Sequence, residues 1–127
     1  MKLLLDTHAL IWFFENSPKM PEKIFHVISS PTHQKYVCAI SLWEIAIKTS
    51  IDKLSMKLTF EQLLRDIASS DLTVLHIFNE HLKGVTKLPP IHKDPFDRLI
   101  VAAAMAEGMT IVTADENIHK YDVLSIW

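Results

Sequence analysis

The chain has 127 residues, enough for one domain, 1–127, with a buried core. Apolar residues make up 49% and charged residues 22%, which excludes wholesale disorder. Lys and Arg number 13 against 15 Asp and Glu, a formal charge of −2, so no global positive field draws in nucleic acid or an anionic membrane.

Lys2–Leu5 reads as a short buried strand. Asp6 interrupts it, and no small-residue cleavage site follows, so it does not read as an export signal. Thr7–Asn16 is predicted as a helix ended by Asn16-Ser17-Pro18. Its apolar run, Ala9 to Phe14, is far shorter than the ~20 residues of a membrane span. Pro21–Ser30 is a second helix, with Ile24, Val27 and Ile28 on one face. Tyr36–Ala39 is a strand carrying Cys38. As the one cysteine of the chain, Cys38 excludes an internal disulfide framework and any multi-thiolate metal site, and the default compartment is the cytoplasm. Ser41 is expected to cap a helix to about Ile51. Thr59 caps the next, to about Ser70, with Gln62 at the capping-box position. Leu72–Leu75 is a third strand and Asn79–Lys87 a short helix. Asp94-Pro95 opens a strong helix to Glu107, with Gly108 as its stop. Thr110–Thr113 is a fourth strand, Glu116–Lys120 a turn or short helix, and Val123–Ile126 a weak last strand. Short apolar strands alternating with helices predict an α/β fold with a parallel sheet covered on both faces. Gly84 and Gly108 are the only glycines, so neither a P-loop nor a dinucleotide fingerprint exists.

Function in such sheets gathers at the carboxyl ends of the strands. Asp6 follows the first strand, Glu44 is expected in the first turn of the helix after the second, and Asp115 lies just past the fourth. Asp97 lies in the first turn of the helix that Asp94 opens. Each acid has a bland reading as a helix cap or a partner of the helix dipole. Together they would repel: two unit charges ~4 Å apart cost about 4 kcal/mol at an effective dielectric of 20. The cluster must bind cations, pair with Lys or Arg, or protonate. Oxygen donors suit Mg²⁺ or Mn²⁺, and such a site can hydrolyse phosphodiesters.

The segments Leu3-Leu4-Leu5-Asp6-Thr7-His8-Ala9, Ile40-Ser41-Leu42-Trp43-Glu44-Ile45-Ala46-Ile47-Lys48, His92-Lys93-Asp94-Pro95-Phe96-Asp97-Arg98-Leu99-Ile100 and Thr110-Ile111-Val112-Thr113-Ala114-Asp115 follow one another in order. In these the sequence resembles PIN-domain proteins, in particular the VapC-like toxins of bacterial toxin–antitoxin pairs. The resemblance implies a three-layer α/β/α fold with a mainly parallel five-stranded sheet. It implies a Mg²⁺- or Mn²⁺-dependent endoribonuclease that leaves a 5′-phosphate and a 3′-hydroxyl. By resemblance, Asp6 and Asp97 are the most direct metal ligands. Glu44 ligates or orients a water as general base, and Asp115 serves a second ion or an outer water. Thr113 orients a carboxylate, and Asp94 is cap first and peripheral to the site second. The implied partners are RNA and a cognate antitoxin, with no membrane.

Arg98 and Lys48, beside acids, are read either as neutralising the site or holding a phosphate, or as plain surface pairs. His8 and His92 lie near the acids, but imidazole is a poor ligand for Mg²⁺. Lys83, Lys87 and Lys93 are read as an RNA track or a solvated face. Trp12, Trp43, Phe13 and Phe14 exceed one core stripe and are read either as packing inside the domain or, the favoured reading, as a partner surface, a homodimer contact or an antitoxin groove. Two other functions compete. One is a non-catalytic PIN-shaped binding module. The other is a receiver-type phosphoacceptor domain, for which Asp6 lacks the adjacent second acid.

Overall fold

Five strands form in the computed structural model, which describes residues 1–127: β1 (Lys2–Leu5), β2 (Gln34–Cys38), β3 (Leu72–Leu75), β4 (Thr110–Val112) and β5 (Ser125–Ile126). They pair in the order β3-β2-β1-β4-β5, and every pairing is parallel. The helices are α1 (Thr7–Phe14), α2 (Glu22–Ser29), α3 (Ala39–Ser50), α4 (Phe60–Ser69), α5 (Asn79–Val85) and α6 (Pro95–Glu107), with a 3₁₀ turn at Ile118–Lys120. This is the expected three-layer α/β/α architecture. The strand order differs from the 2-1-3-4-5 order of receiver-type sheets, which removes that alternative.

The strands read as unbroken apolar runs because both faces of the sheet are covered. Leu3, Leu5, Val37 and Val112 point into a core shared with α1, α2, α3 and α4. Leu4, Cys38 and Ile111 point the other way, onto Ile100, Val101, Ala103 and Ala104 of α6. Leu3, Leu4 and Leu5 are all 0% exposed, so period-two alternation leaves no polar face to read in the sequence. Burial pushes the Cys38 thiol up from its ordinary value, consistent with inert packing.

Several boundaries moved for local reasons. Helix α1 stops at Phe14, and Asn16 turns the chain with φ +54°, a left-handed conformation that Asn tolerates. Strand β2 reaches back to Gln34 because the ladders to β1 and β3 accept Gln34 and Lys35. Lys35 is buried there and donates to Asp71 at 2.8 Å, a pairing that its charge concealed. Helix α3 starts directly at Ala39, so Ser41 lies within it and does not cap it. Thr59 and Gln62 form the expected capping box, Asp94 accepts from the N–H groups of Phe96 and Asp97, and Gly108 ends α6 with φ +65°.

Helix α5 rides close on α6. A Cβ at Gly84 would lie 3.2 Å from the Ala102 Cβ, tighter than ordinary contact. Ala102→Leu is therefore expected to cost about 1–3 kcal/mol by overpacking, read as a lower urea midpoint with an unchanged m-value. An unchanged midpoint would show that α5 shifts freely.

Topology fixes where a ligand can enter. From β1 the chain steps outward to β2 and β3, then returns to place β4 against the other side of β1. The carboxyl ends of β1 and β4 therefore flank the topological switch point, where α/β sheets open a crevice. Leu5 aligns with Val37 and Val112, so the residues that follow β1, β2 and β4 leave from one rim.

Candidate functional site at the sheet switch point

At that rim lies a cavity of about 400 Å³ lined by Asp6, Thr7, His8, Trp12, Glu44, Lys48, His92, Asp94, Asp97, Ala114 and Asp115. All four of the predicted core acids line it, together with Asp94.

Asp6 is 5% exposed. One carboxylate oxygen accepts from the Ala9 N–H at 2.8 Å and caps α1, and the other accepts from the Thr113 hydroxyl. The bland and functional readings thus coincide in one side chain: capping aims the carboxylate at the rim. Burial raises the Asp6 carboxyl above its ordinary value, against the lowering effect of those hydrogen bonds.

Thr113 donates to Asp6 and accepts from the Asp115 N–H at 3.0 Å. Its hydroxyl thereby joins the ends of β1 and β4, holding the Asp6 carboxylate and the Asp115 backbone. This is the carboxylate-orienting geometry expected of it.

Glu44 is 3% exposed and sits in the second turn of α3, not the first. The early helix start moves it, and the Ser41–Glu44 capping box does not form. Its oxygens accept from the Thr7 hydroxyl at 2.6 Å and from Lys48. Lys48 is held in its charged form chiefly by that hydrogen bond, with further attraction from Glu44, Asp94 and Asp97. Lys48 therefore lines the site as a counter-charge.

Asp97 carries the strongest electrostatic signature. Burial, then the charges of Asp94 and Asp6, push its carboxyl up to about 7, although His92 opposes them. The side chain meets His92 Nε2 at 3.2 Å. Asp115 accepts from the same nitrogen at 2.8 Å, and its other oxygen accepts from the Asn117 N–H at 2.8 Å. Its partial burial would raise its carboxyl, but His92 and the backbone N–H groups of Asn117 and Ile118 outweigh this and the net direction is down.

His92, near the acids in the sequence and set aside there only as a metal ligand, lines the cavity and bonds to two of the acids. The Asp94 N–H donates to its Nδ1 at 3.2 Å, so the proton sits on Nε2, between Asp97 and Asp115. One ligand atom each from His92, Asp97 and Asp115 lies within 4.8 Å of the others. With Nδ1 engaged by Asp94 and the proton on Nε2, however, the imidazole acts here as a donor to the two carboxylates, and a metal ion at this spacing would have to displace that proton. Thr7 was missed. The signal for both was position: one follows Asp6 at a strand end, and the other lies two residues before the α6 cap.

Arg98 does not line the cleft. Its guanidinium donates to the carbonyls of Pro89 at 3.0 Å and Val85 at 3.2 Å, and more weakly to those of Leu88 and His92 and to the Tyr121 hydroxyl. The Tyr121 hydroxyl in turn accepts from the His92 N–H at 2.8 Å. Arg98 supports the site by fixing the segment that carries His92, which corrects its expected reach to the acids or a phosphate. Lys83 pairs with Glu80, and Lys87 lines a different cavity with Met105 and Tyr121, so neither borders the acids.

The donor set fits a hard divalent cation. The carboxylates of Asp6, Asp97, Asp115 and Glu44 line one cavity, Lys48 is the cation paired with them, and His92, Thr7 and Thr113 supply the other side-chain donors.

Solved chains share this fold at low identity. VapBC2 from Rickettsia felis, bound to a promoter DNA fragment, matches with a TM-score of 0.74 at 18% identity, covering 99% of this chain and 98% of that one. VapBC-1 from nontypeable Haemophilus influenzae matches with a TM-score of 0.68 at 19% identity, covering 99% and 97%. FitAcB from Neisseria gonorrhoeae matches with a TM-score of 0.66 at 18% identity, covering 98% and 96%. No curated protein matches in sequence. The family model for the PIN domain matches residues 3–124, nearly the whole of the chain, and with this sheet order and this rim of acids the chain belongs to the PIN-domain family.

Proposed function

We propose that this chain is a divalent-metal-dependent endoribonuclease and the toxin of a toxin–antitoxin pair. The observation that carries the reading is that Asp6, Glu44, Asp97 and Asp115 line one cavity at the switch point, two of them nearly fully buried. Solved chains of the same fold come from complexes named VapBC and FitAB, which supports an antitoxin partner. No helix is long and apolar enough to cross a membrane.

In this reading Asp6 and Asp97 hold Mg²⁺ or Mn²⁺, Asp115 serves a second ion or an outer water, and Asp94 positions Asp97 by capping α6. The cation supplies Lewis acidity toward a phosphate oxygen and the positive charge that the composition lacks. Glu44, gripped by Thr7 and Lys48, is placed to orient the attacking water and accept its proton. Thr113 keeps Asp6 and Asp115 in register. Trp43, 58% exposed on α3 and edge-on to Phe96 at 5.7 Å, offers an apolar contact for a homodimer beside the cleft.

Single-stranded RNA incubated with the protein and Mn²⁺ is expected to yield fragments with 5′-phosphate and 3′-hydroxyl ends. Asp6→Asn should stop this while keeping the α1 cap, since Asn also caps. Parental activity of Asp6→Asn at saturating Mn²⁺ would sink the assignment. A non-catalytic module predicts no cleavage and no Mn²⁺ stabilisation.

Cation binding should also follow pH with a defined sign. The folded chain binds a proton at Asp97 up to about pH 7, above the unfolded value, so this group's contribution to stability falls as pH rises from about 4 through about 7. A cation must displace that proton. The Mn²⁺-induced rise in melting temperature is therefore expected to be small at about pH 5.5 and to grow to a plateau by about pH 8. A shift that is flat across this range, or largest in acid, contradicts the assignment of Asp97 as ligand.

A further inference from the structure

A second cavity, of about 520 Å³, adjoins the acidic cleft and shares His8 and Trp12 with it. It runs between α1, the turn after it, and the loop joining α3 to α4. Its floor includes Ile11, Leu54 and Met56, and its rim carries Lys19 and Lys57, both exposed. We propose that this groove is the subsite for the nucleotide flanking the scissile phosphate, so that single-stranded RNA leaves the acids past His8 and lays a base against Trp12. The inference rests on the nuclease reading and adds to it the direction of the strand and the residues that hold it.

Several features point to a nucleotide. The volume is that of a small organic group rather than of a protein loop, and the lining alternates apolar with polar side chains. Trp12 presents a large aromatic surface, partly exposed, with the His8 ring 5.5 Å away and Lys19 Nζ 5.7 Å from its centroid. An aromatic ring with a cation beside it is the arrangement that takes a base on its face and a phosphate nearby. The acids of the cleft repel phosphates that lie off the cation, so a strand needs positive charge on either side of them, and Lys19 and Lys57 provide it on this side.

The groove's one acid does not oppose this. Glu15 accepts from the backbone N–H groups of Lys57 and Leu58, which fixes the α3–α4 loop against α1 and shapes the groove wall. A duplex is disfavoured because its phosphates are held on a rigid cylinder, while Asp6 and Glu44 are nearly fully buried and require a strand that can bend into the cleft.

The test uses fluorescein-labelled single-stranded decaribonucleotides of random sequence, in the Asp97→Asn background to prevent cleavage, read by anisotropy. Lys19→Ala/Lys57→Ala, at exposed positions that leave the fold intact, is expected to weaken binding about tenfold. It should also flatten the slope of log K against log salt by about 0.7 for each lysine. Trp12→Ala should weaken binding about tenfold with no change in slope, and because Trp12 also packs on Trp127, the lysine variant carries the decision if it fails to fold. Unchanged affinity and slope in the lysine variant overturn the subsite, as does failure of the background protein to bind the oligonucleotide. If the groove variants bind RNA normally but lose a protein partner, the groove belongs to that partner and the proposal is overturned. Cleavage by the otherwise unmodified chain is measured alongside. Cleavage with groove-independent binding removes the subsite alone, and groove-dependent binding without cleavage removes the nuclease reading alone.

Discussion

Asp97→Asn is expected to abolish RNA cleavage and yet to raise the melting temperature of the metal-free protein at about pH 8. Two effects oppose each other at this position. Asp97 lies in the first turn of α6, where a negative charge gains about 0.3–1 kcal/mol from the helix dipole, and Asn forfeits that. Against it stand burial and the charges of Asp94, Asp6 and Glu44, which together push the carboxyl up to about 7. The raised value shows which effect wins: ionised Asp97 is a net cost to the metal-free fold. Asn keeps the shape and can accept from His92 while removing the charge. A gain on the order of 1 kcal/mol corresponds to roughly 4 °C in a domain of this size. Activity should fall by at least ~10²-fold, the scale of deleting one preorganised electrostatic group from a reacting centre. The gain should vanish at about pH 5, where the parent carboxyl is protonated as well. Calorimetry without metal at both pH values checks it. A lower melting temperature at pH 8 would mean that Asp97 is a structural cap partner, not one member of a strained cluster.

The opposite signs of those two effects bear on what a sequence displays. Asp6, Asp97 and Asp115 could be placed because strand ends and a Pro-marked helix start fix them along the chain, and parallel pairing then brings them to one rim. Glu44 was assigned to the right rim by the wrong local geometry. Its apparent cap Ser41 lies inside α3, and what holds Glu44 is Thr7, 37 residues away. The contacts of His92 and Arg98 escape the sequence for one physical reason. Whether an imidazole meets carboxylates, or a guanidinium meets backbone carbonyls, depends on how the irregular segment between α5 and α6 folds back, and no periodicity encodes that. Lys35 shows the converse: its charge spoke against a strand, but one exposed acid, Asp71, at the neighbouring strand's entry suffices to bury it. Regular elements are visible through period and punctuation. Contacts made by side chains across the sheet rim are not.

Lys48→Met is expected to destabilise the metal-free protein by about 2 kcal/mol, and Mn²⁺ is expected to restore most of the loss. Glu44 is 3% exposed and its oxygens are held by Thr7 and Lys48. Deleting the only cation in that pairing leaves a buried charge, which costs about 3–5 kcal/mol when fully desolvated. Lys48 itself is about one-third open to solvent, so screening and water entry lower the figure. A divalent cation in the cleft would take over the neutralisation, so the Mn²⁺-induced rise in melting temperature should be larger in Lys48→Met than in the parent. Glu44→Gln should rescue Lys48→Met without metal, because the amide removes the orphaned charge and Thr7 can still bond to it. The double-mutant cycle then isolates the pair from whatever packing Lys48 gives to the Phe96 ring 6.0 Å away. If Lys48→Met melts like the parent with and without Mn²⁺, the contact is an ordinary surface ion pair. If it melts low and Glu44→Gln does not rescue it, packing on Phe96 carries the loss. Rescue by both the cation and the amide would show that Lys48 and the metal answer the same buried negative charge, so the lysine holds the cleft's carboxylates together until a cation arrives.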